Sequence, residues 1–403
     1  YKENEAGRRY ILPPADAVVD PRQEGCEYPF KGLCGAAVAY KLIEALSEAN
    51  GQDAADLDYL LENVAIATVA DVMDLTEENR ILVKQGLEML TRTSNLGLRA
   101  LIQCIGLEGK KIQAYHIGFI LAPCLNASGK LDTAKRALAL LRAKTEREAD
   151  MLAGDLKALN ESRRDMTDRV VDEAMAKVEQ TDIREDKVLV IYLPDCHESL
   201  AGLVAGRVRE NYYRPVFVLT DSEDGVKGSG RSIESYSMYE ELTGCGDLLT
   251  KFGGHPMAAG LSLDKENVEN FKRRLNDQCT LSEEELTEKV VIDMELPFTA
   301  ITEHFIEELE CLEPFGKGNA KPVFAARGVI MQHVKIIGKN KNVAKATAID
   351  ASGNRMEAIC FRDAQEFAEQ CERNNGKMSI TFYPGINEFR GERQIQIVIT
   401  HYR

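Results

Sequence analysis

From Thr133 to Gln180 the chain contains no proline and a single glycine, Gly154. Its apolar residues, among them Leu152, Leu156, Leu159, Met166, Val170, Ala174 and Val178, recur near helical spacing between many charges. A segment with that period and no proline predicts one long helix or two stacked ones, and a charged outer face makes it a connector between folded bodies. At 403 residues the chain exceeds one ordinary core, so several domains are expected. The predicted division is a first domain over 1–132, the connector over 133–182, a compact α/β domain over 183–282 and a further domain over 287–403.

The first domain reads as α/β or mostly helical. Gly32 to Leu42 opens a helix whose small residues permit close packing. In Asn63 to Leu75 one carboxylate, Asp71, interrupts an apolar run, and a helix begins near Glu77. A carboxylate buried in such a run must be paired, hydrogen-bonded or metal-bound, so a capping role and a metal-ligand role both stay open. Ala122 to Leu131 reads as a loop between helices, in which Asn126, Ser128 and Lys130 either cap and turn the chain or converge on an anion.

After the connector, Lys187–Leu193 and Pro215–Thr220 read as strands around a helix near Ser199–Asn211. His197 reads as a structural histidine. Two glycine-rich segments follow, Gly228-Ser229-Gly230-Arg231-Ser232 and, beyond a helix around Tyr239–Thr250, the loop Phe252-Gly253-Gly254-His255-Pro256-Met257-Ala258-Ala259-Gly260. Glycines admit close backbone approach, and Ser229, Arg231 and His255 can donate to phosphate oxygens, so the two segments read as one phosphate-binding wall.

Beyond an acidic linker, short β-like runs over 290–296, 325–337, 343–349, 356–361, 378–383 and 394–399 predict a small barrel. A net charge of -15 makes the whole molecule a poor match for nucleic acid, so any such binding must be local. Between Pro314 and Lys345 stand Lys317, Lys321, Arg327, Lys335, Lys339, Lys341 and Lys345 with no Asp or Glu, a local excess that points to single-stranded nucleic acid. The aromatics Phe315, Phe324, Phe361, Phe382, Tyr383 and Phe389 serve as barrel core or as base-stacking platforms. No apolar run is long enough for a membrane span. The ten scattered cysteines read as reduced thiols, which predicts a cytoplasmic location. The chain begins at Tyr1 without Met or a signal peptide, and upstream residues are expected.

Together these segments resemble the RecJ family of single-strand-specific exonucleases, within the DHH phosphoesterase superfamily. The resemblance rests on the two glycine-rich segments, on Leu312-Glu313-Pro314-Phe315-Gly316-Lys317-Gly318-Asn319 and on Leu12-Pro13-Pro14-Ala15-Asp16-Ala17-Val18-Val19. It implies an α/β multidomain architecture: part of a DHH α/β domain, a long connecting helix, a DHHA1 domain and a C-terminal OB-fold β-barrel. It also implies 5′ to 3′ hydrolysis of single-stranded DNA by a two-metal site using Mn2+ or Mg2+, in repair and recombination. Possible protein partners are a helicase or a single-strand-binding protein.

By that resemblance Asp71 is a metal ligand, Ser229 and Arg231 meet a 5′ phosphate, and His255 with Gly253 and Gly254 contacts the phosphate backbone. Asn126 and Lys130 lie near the metals, and the barrel, with Lys317, Lys321, Lys335, Lys339 and Lys341, carries the strand. Two departures stand out. Lys130 occupies a place where arginine is expected, and no His-His pair occurs, so most metal ligands are expected to be missing from this chain. The alternatives are a phosphodiesterase for short oligonucleotides or cyclic dinucleotides, and a strand-binding scaffold without catalysis.

Overall fold

The structure, a computed structural model, describes residues 2–4, 7–9, 12–131, 134–338, 341–361, 363–389 and 391–403. A ribbon of β1 (Lys2–Asn4) and β2 (Gly7–Arg9) precedes helices α1 (Gly35–Ala49), α2 (Leu61–Ala70), α3 (Glu77–Thr91) and α4 (Leu96–Cys104). Next come α5 (Ala114–His116), a π-helical stretch Ile117–Leu121, α6 (Ala122–Leu131), α7 (Lys135–Leu141) and the 35-residue α8 (Glu146–Gln180). The middle of the chain forms β3 (Leu189–Tyr192), α9 (Glu198–Tyr212), β4 (Val216–Ser222), β5 (Gly225–Arg231), α10 (Met238–Gly244), β6 (Leu249–His255), β7 (Ala258–Leu263) and α11 (Val268–Gln278). The last part forms β8 (Met294–Glu295), α12 (Glu303–Glu310), β9 (Phe324–Ile337), β10 (Val343–Ile349), β11 (Arg355–Cys360), α13 (Ala364–Arg373), β12 (Lys377–Phe389) and β13 (Glu392–Tyr402).

Three sequence expectations change. The connector is shorter than 133–182, because Thr145 caps α8 by accepting from the Glu148 amide at 3.2 Å and α7 stands apart before it. The segment expected as a loop at Asn126 is helix α6, with Ala122, Cys124 and Ala127 buried. Just upstream the ladder lengthens to a π register, the Ala122 amide bonding Ile117 O, which skips a hydrogen bond that the Pro123 nitrogen could not donate. The Gly-Gly-His segment is strand β6, not a loop, and the helix expected to reach Thr250 ends at Gly244.

The chain divides into two compact units, one of residues 1–94, 107–122 and 290–403, the other of 95–106 and 123–289. In the first, Leu33, Ala37, Tyr40, Leu61, Val64 and Leu82 form a core among α1, α2 and α3. Gly86 lets α2 and α3 touch backbone to backbone, since a Cβ there would run into Leu61 O and lie 2.6 Å from Ala65 Cβ. The same unit holds a closed five-stranded barrel, ordered β10-β11-β13-β12-β9 and closed by β9 on β10, with β8 as an outer edge. Its walls turn small residues inward (Ala326, Ala344, Ala346, Ala348, Ala358), leaving room for Phe298, Phe324, Phe367 and Phe382. The lead-in to the barrel is tied to α3 and the turn before it. The Arg80 guanidinium donates to Cys311 O at 3.0 Å and Glu313 O at 3.2 Å, and the Leu75 amide donates to Lys317 O at 2.7 Å.

The second unit is built on a five-stranded mixed sheet, ordered β3-β4-β5-β7-β6, with only β3 and β4 parallel. One face packs Phe217, Leu219, Val226 and Leu261 against α10 and α11 through Leu242, Phe271 and Leu275. The opposite face packs Leu189, Ile191, Val216 and Val218 against α8 and α9 through Ala174, Val178, Val204 and Val208. Among the described residues no helix is long and apolar enough to cross a membrane.

Candidate functional site

The sheet face that lies under α8 and α9 at β3 and β4 continues onto β5, β7 and β6, and its chemistry changes there. The register gives three rows: Leu189–Val216–Arg231–Ala258–His255, Ile191–Val218–Ser229–Gly260–Gly253, and Thr220–Lys227–Ser262–Lys251. Where helices cover the face it is apolar, and where they end it becomes small and polar. The uncovered part is a shelf with a low floor of Ala258, Gly260, Gly253 and Ser262. Lys227, Ser229 and Arg231 stand along one side and Lys251 and His255 along the other. A cleft of about 550 Å³ lies over the part of the shelf formed by Lys227, Ser229, Lys251, Gly253, Gly260 and Ser262, bordered by Glu198 and Ser199 at the start of α9; Arg231, Ala258 and His255 lie beyond its lining.

The glycines of the two motifs fall into two groups. A Cβ on Gly228 would lie 2.5 Å from Leu219 Cδ2, one on Gly230 would lie 2.5 Å from Met238 Sδ, and one on Gly254 would lie 2.6 Å from Ala259 Cα. These three are glycine for packing. A Cβ on Gly253 would meet nothing within 4 Å, and one on Gly260 only Gly228 O at 3.9 Å. These two keep the floor of the cleft low, and they are the pair suited to close approach by a ligand.

Arg231 is half-buried at the end of β5, its Nη1 donating to Gly230 O at 2.7 Å and to Ser229 Oγ at 3.4 Å. It lies across α9 at Gly202, where a Cβ would come 2.8 Å from Arg231 Nη2 and 2.9 Å from Ser229 Oγ. Burial, and then the charge of Arg209, disfavour its charged form. Among the described residues no carboxylate pairs with Arg231; Arg209 Nε is buried without a partner, while its Nη2 lies 3.6 Å from Glu210 Oε1. A guanidinium left without a carboxylate partner beside a second arginine is a place prepared for an anion. Beside them Lys227 forms a 2.7 Å exposed ion pair with Glu198, which raises the lysine pKa and lowers that of the glutamate. His255 is exposed on the far side of the shelf. His197 caps α9, its Nδ1 accepting from the Ser199 amide at 3.2 Å. Gly202, Arg209, Lys227, Lys251 and Ser262 were missed from sequence, although Lys227-x-Ser229-x-Arg231 has the period of one strand face.

Asp71 is not buried, contrary to expectation: it is exposed as the C-cap of α2. The next residue, Val72, is 63% exposed with φ 53, a left-handed conformation that strains a β-branched side chain. A carboxylate also opposes the negative end of the helix dipole. Neither burial nor capping explains this aspartate, and an exposed carboxylate on a strained turn is available to a cation. Among the described residues no group of three His, Cys, Asp or Glu side chains is placed to hold a metal, so these residues do not by themselves fit a two-metal centre. Asp71→Asn is expected to raise the unfolding free energy by about 0.3–1 kcal/mol in urea titrations. A loss of stability would show that the carboxylate serves the fold instead.

The other predicted residues are dispersed. Asn126 is exposed on α6 and does not line the cleft, and the Lys130 side chain lies outside the described residues. The basic run is less free than its count suggested. Lys317 pairs with Asp74 at 3.0 Å, Arg327 with Glu295 at 3.6 Å and Lys345 with Glu357 at 2.7 Å. The Lys321 ammonium rests 4.4 Å over the Tyr383 ring, and desolvation lowers its pKa. Lys335 and Lys341 remain exposed without an acidic partner among the described residues, and Lys339 lies outside them. Phe324 and Phe382 are core, whereas Phe361 is 62% exposed at the end of β11.

Two family models match the chain: DHHA1 domain over residues 185–281 and RecJ OB domain over 292–401. The chain is 34% identical over 412 residues to the single-stranded-DNA-specific exonuclease RecJ of Dickeya dadantii, covering 97% of this chain and 70% of that protein. The chain belongs to the RecJ family. It is also 36% identical over 393 residues to the RecJ of Bacillus subtilis, covering 96% of this chain but 49% of that relative, so it spans about half of that protein's length. The crystal structure of RecJ from Thermus thermophilus in complex with Mg2+ superposes with a TM-score of 0.78 at 27% identity, covering 94% of this chain and 57% of that one. A second structure of the same protein is in complex with Mn2+, again with a TM-score of 0.78. In RecJ family terms the shelf belongs to the DHHA1 domain and the barrel is the OB domain.

Proposed function

We propose that this chain holds the strand in a 5′ to 3′ single-stranded-DNA exonuclease. The observation that carries the reading is the shelf, a bare glycine floor between donors on β5 and β6. An extended phosphodiester laid along it would meet Lys227, Ser229 and Arg231 on one side and Lys251 and His255 on the other, with Gly253 and Gly260 allowing the backbone close. Donors on both sides of a single floor match one extended backbone, so the shelf suits a single strand.

A terminal phosphate monoester carries more charge than an internal diester, about −1.5 to −2 at pH 7. Arg231, which has no carboxylate partner among the described residues, suits that end, which gives the shelf its polarity. On the barrel, exposed Phe361 offers a ring to a base, and Lys335 and Lys341 offer charge to the phosphates. Asp71 is assigned to the metal side of the reaction, and divalent ions such as Mn2+ or Mg2+ would there activate water. One carboxylate does not make such a centre, so no catalytic step is derived through it. Repair and recombination are the setting that such an activity serves, in the cytoplasm, with a helicase or single-strand-binding protein as candidate partners.

The test uses Gly260→Val. Its side chain points into open space, so the unfolding midpoint should stay within error of the parent chain, while affinity for a 5′-phosphorylated 12-nucleotide strand, read by fluorescence anisotropy, should fall by about tenfold or more. Unchanged affinity would remove the cleft from the proposal. A cyclic dinucleotide that binds more tightly than the strand would favour the short-substrate alternative.

A further inference from the structure

In the first unit, α3, the segment 110–115 and the lead-in to the barrel enclose a second recess, of about 180 Å³. Its walls include the rings of Tyr115 and Phe315 and the apolar side chains of Leu87 and Ile112; Lys84 and Lys111 line it together with the carboxylates of Glu88, Glu310 and Glu313. Phe315 is held edge-on to Tyr383, with ring centres 6.1 Å apart, and the Lys321 ammonium lies over both rings, so that wall is rigid. Tyr115 is 60% exposed and stacks at 4.9 Å and 28° on Phe119, which is itself 72% exposed. Two large aromatic side chains left open to solvent one helical turn apart are not accounted for by the core. Gly118, between them, faces Val69 with a Cβ distance of 3.7 Å, so this turn packs on α2 near the end that carries Asp71.

We propose that this recess is a nucleobase site, in which one base of a single strand stacks on Tyr115 while Lys84 and Lys111 face its phosphates. Flat aromatic walls with lysines at the rim are the chemistry of sequence-tolerant strand binding. Lys111 is 67% exposed and pairs with Glu313 at 3.1 Å and Glu310 at 3.9 Å, and because Gln113 also donates to Glu313 at 3.2 Å, the lysine can swing to a phosphate while that carboxylate keeps a partner. The volume suits one base with its sugar outside. That the occupant belongs to DNA rests on the strand-holding reading above, and the experiment separates the two.

The chain contains no tryptophan, so in Tyr115→Trp the introduced indole is the sole one. Its emission should be quenched when a single strand binds, and should stay unquenched with a strand of the same length lacking bases, although anisotropy reports binding of both. Phe119→Ala, which removes an exposed ring, should weaken binding of the normal strand roughly 5-fold or more and leave the abasic strand unaffected. Strand binding without quenching, or equal quenching by the abasic strand, overturns the nucleobase site and leaves the shelf standing. Quenching that survives in Arg231→Ala supports the recess independently of the shelf. Absence of strand binding by either readout overturns both.

Discussion

Arg231→Ala is expected to erase preference for a 5′-phosphorylated end. Loss of hydrogen bonds from a charged donor is worth about 2 kcal/mol, so affinity for the phosphorylated strand should fall roughly 30-fold while a strand ending in a 5′ hydroxyl changes much less. Arg231→Lys should recover only part of this, since an ammonium lacks the planar fork. Arg231→Ala removes a half-buried cation next to Arg209, so the folded chain should be no less stable than the parent. Anisotropy with the two strands, beside a thermal melt, reads all of this. Equal losses on both strands would show that Arg231 holds backbone in general and does not select an end.

Gly230→Val is expected to act in the opposite way. Its Cβ would lie 2.5 Å from Met238 Sδ and 2.7 Å from Phe217 Cε1, and Phe217 is fully buried between the sheet and α11. Methionine can move aside, but a ring locked in the core cannot do so without shifting its neighbours, so a loss of about 2–3 kcal/mol in unfolding free energy follows. Strand affinity of the fraction that stays folded should be little altered, because position 230 faces away from the cleft. A stable Gly230→Val chain with weakened binding would mean that the motif glycines all serve the ligand.

These two positions show what the sequence made legible. That Ser229 and Arg231 are candidates for a binding surface was readable from their chemistry. That they alternate with packing glycines on a strand was not, because a bare sheet face lacks the alternating apolar and β-branched residues by which strands are recognised. The barrel was readable, down to Val343–Ile349, because its walls have one wet and one dry face. Asn126 was misplaced for a related reason: proline, asparagine, serine and glycine in close succession read as a loop, yet buried Cys124 and Ala127 hold that stretch in a helix. The basic run was overcounted since its partners Asp74, Glu295 and Glu357 lie elsewhere in the chain. Asp71 was recognised as anomalous for the wrong reason: its apolar neighbours are one buried side of α2, and the aspartate itself stands just past the helix end.

The place of β5 in its sheet bears on how the shelf withstands force. This strand is hydrogen-bonded along its length to β4 on one side and β7 on the other. A DNA strand dragged along the shelf would tug on Ser229 and Arg231 roughly parallel to that ladder, loading many amide bonds together in shear. A loop carrying the same side chains would peel from its base one bond at a time. If the shelf holds a strand as proposed, its grip would be as strong mechanically as the sheet that carries it, which would suit a substrate that moves while it is held.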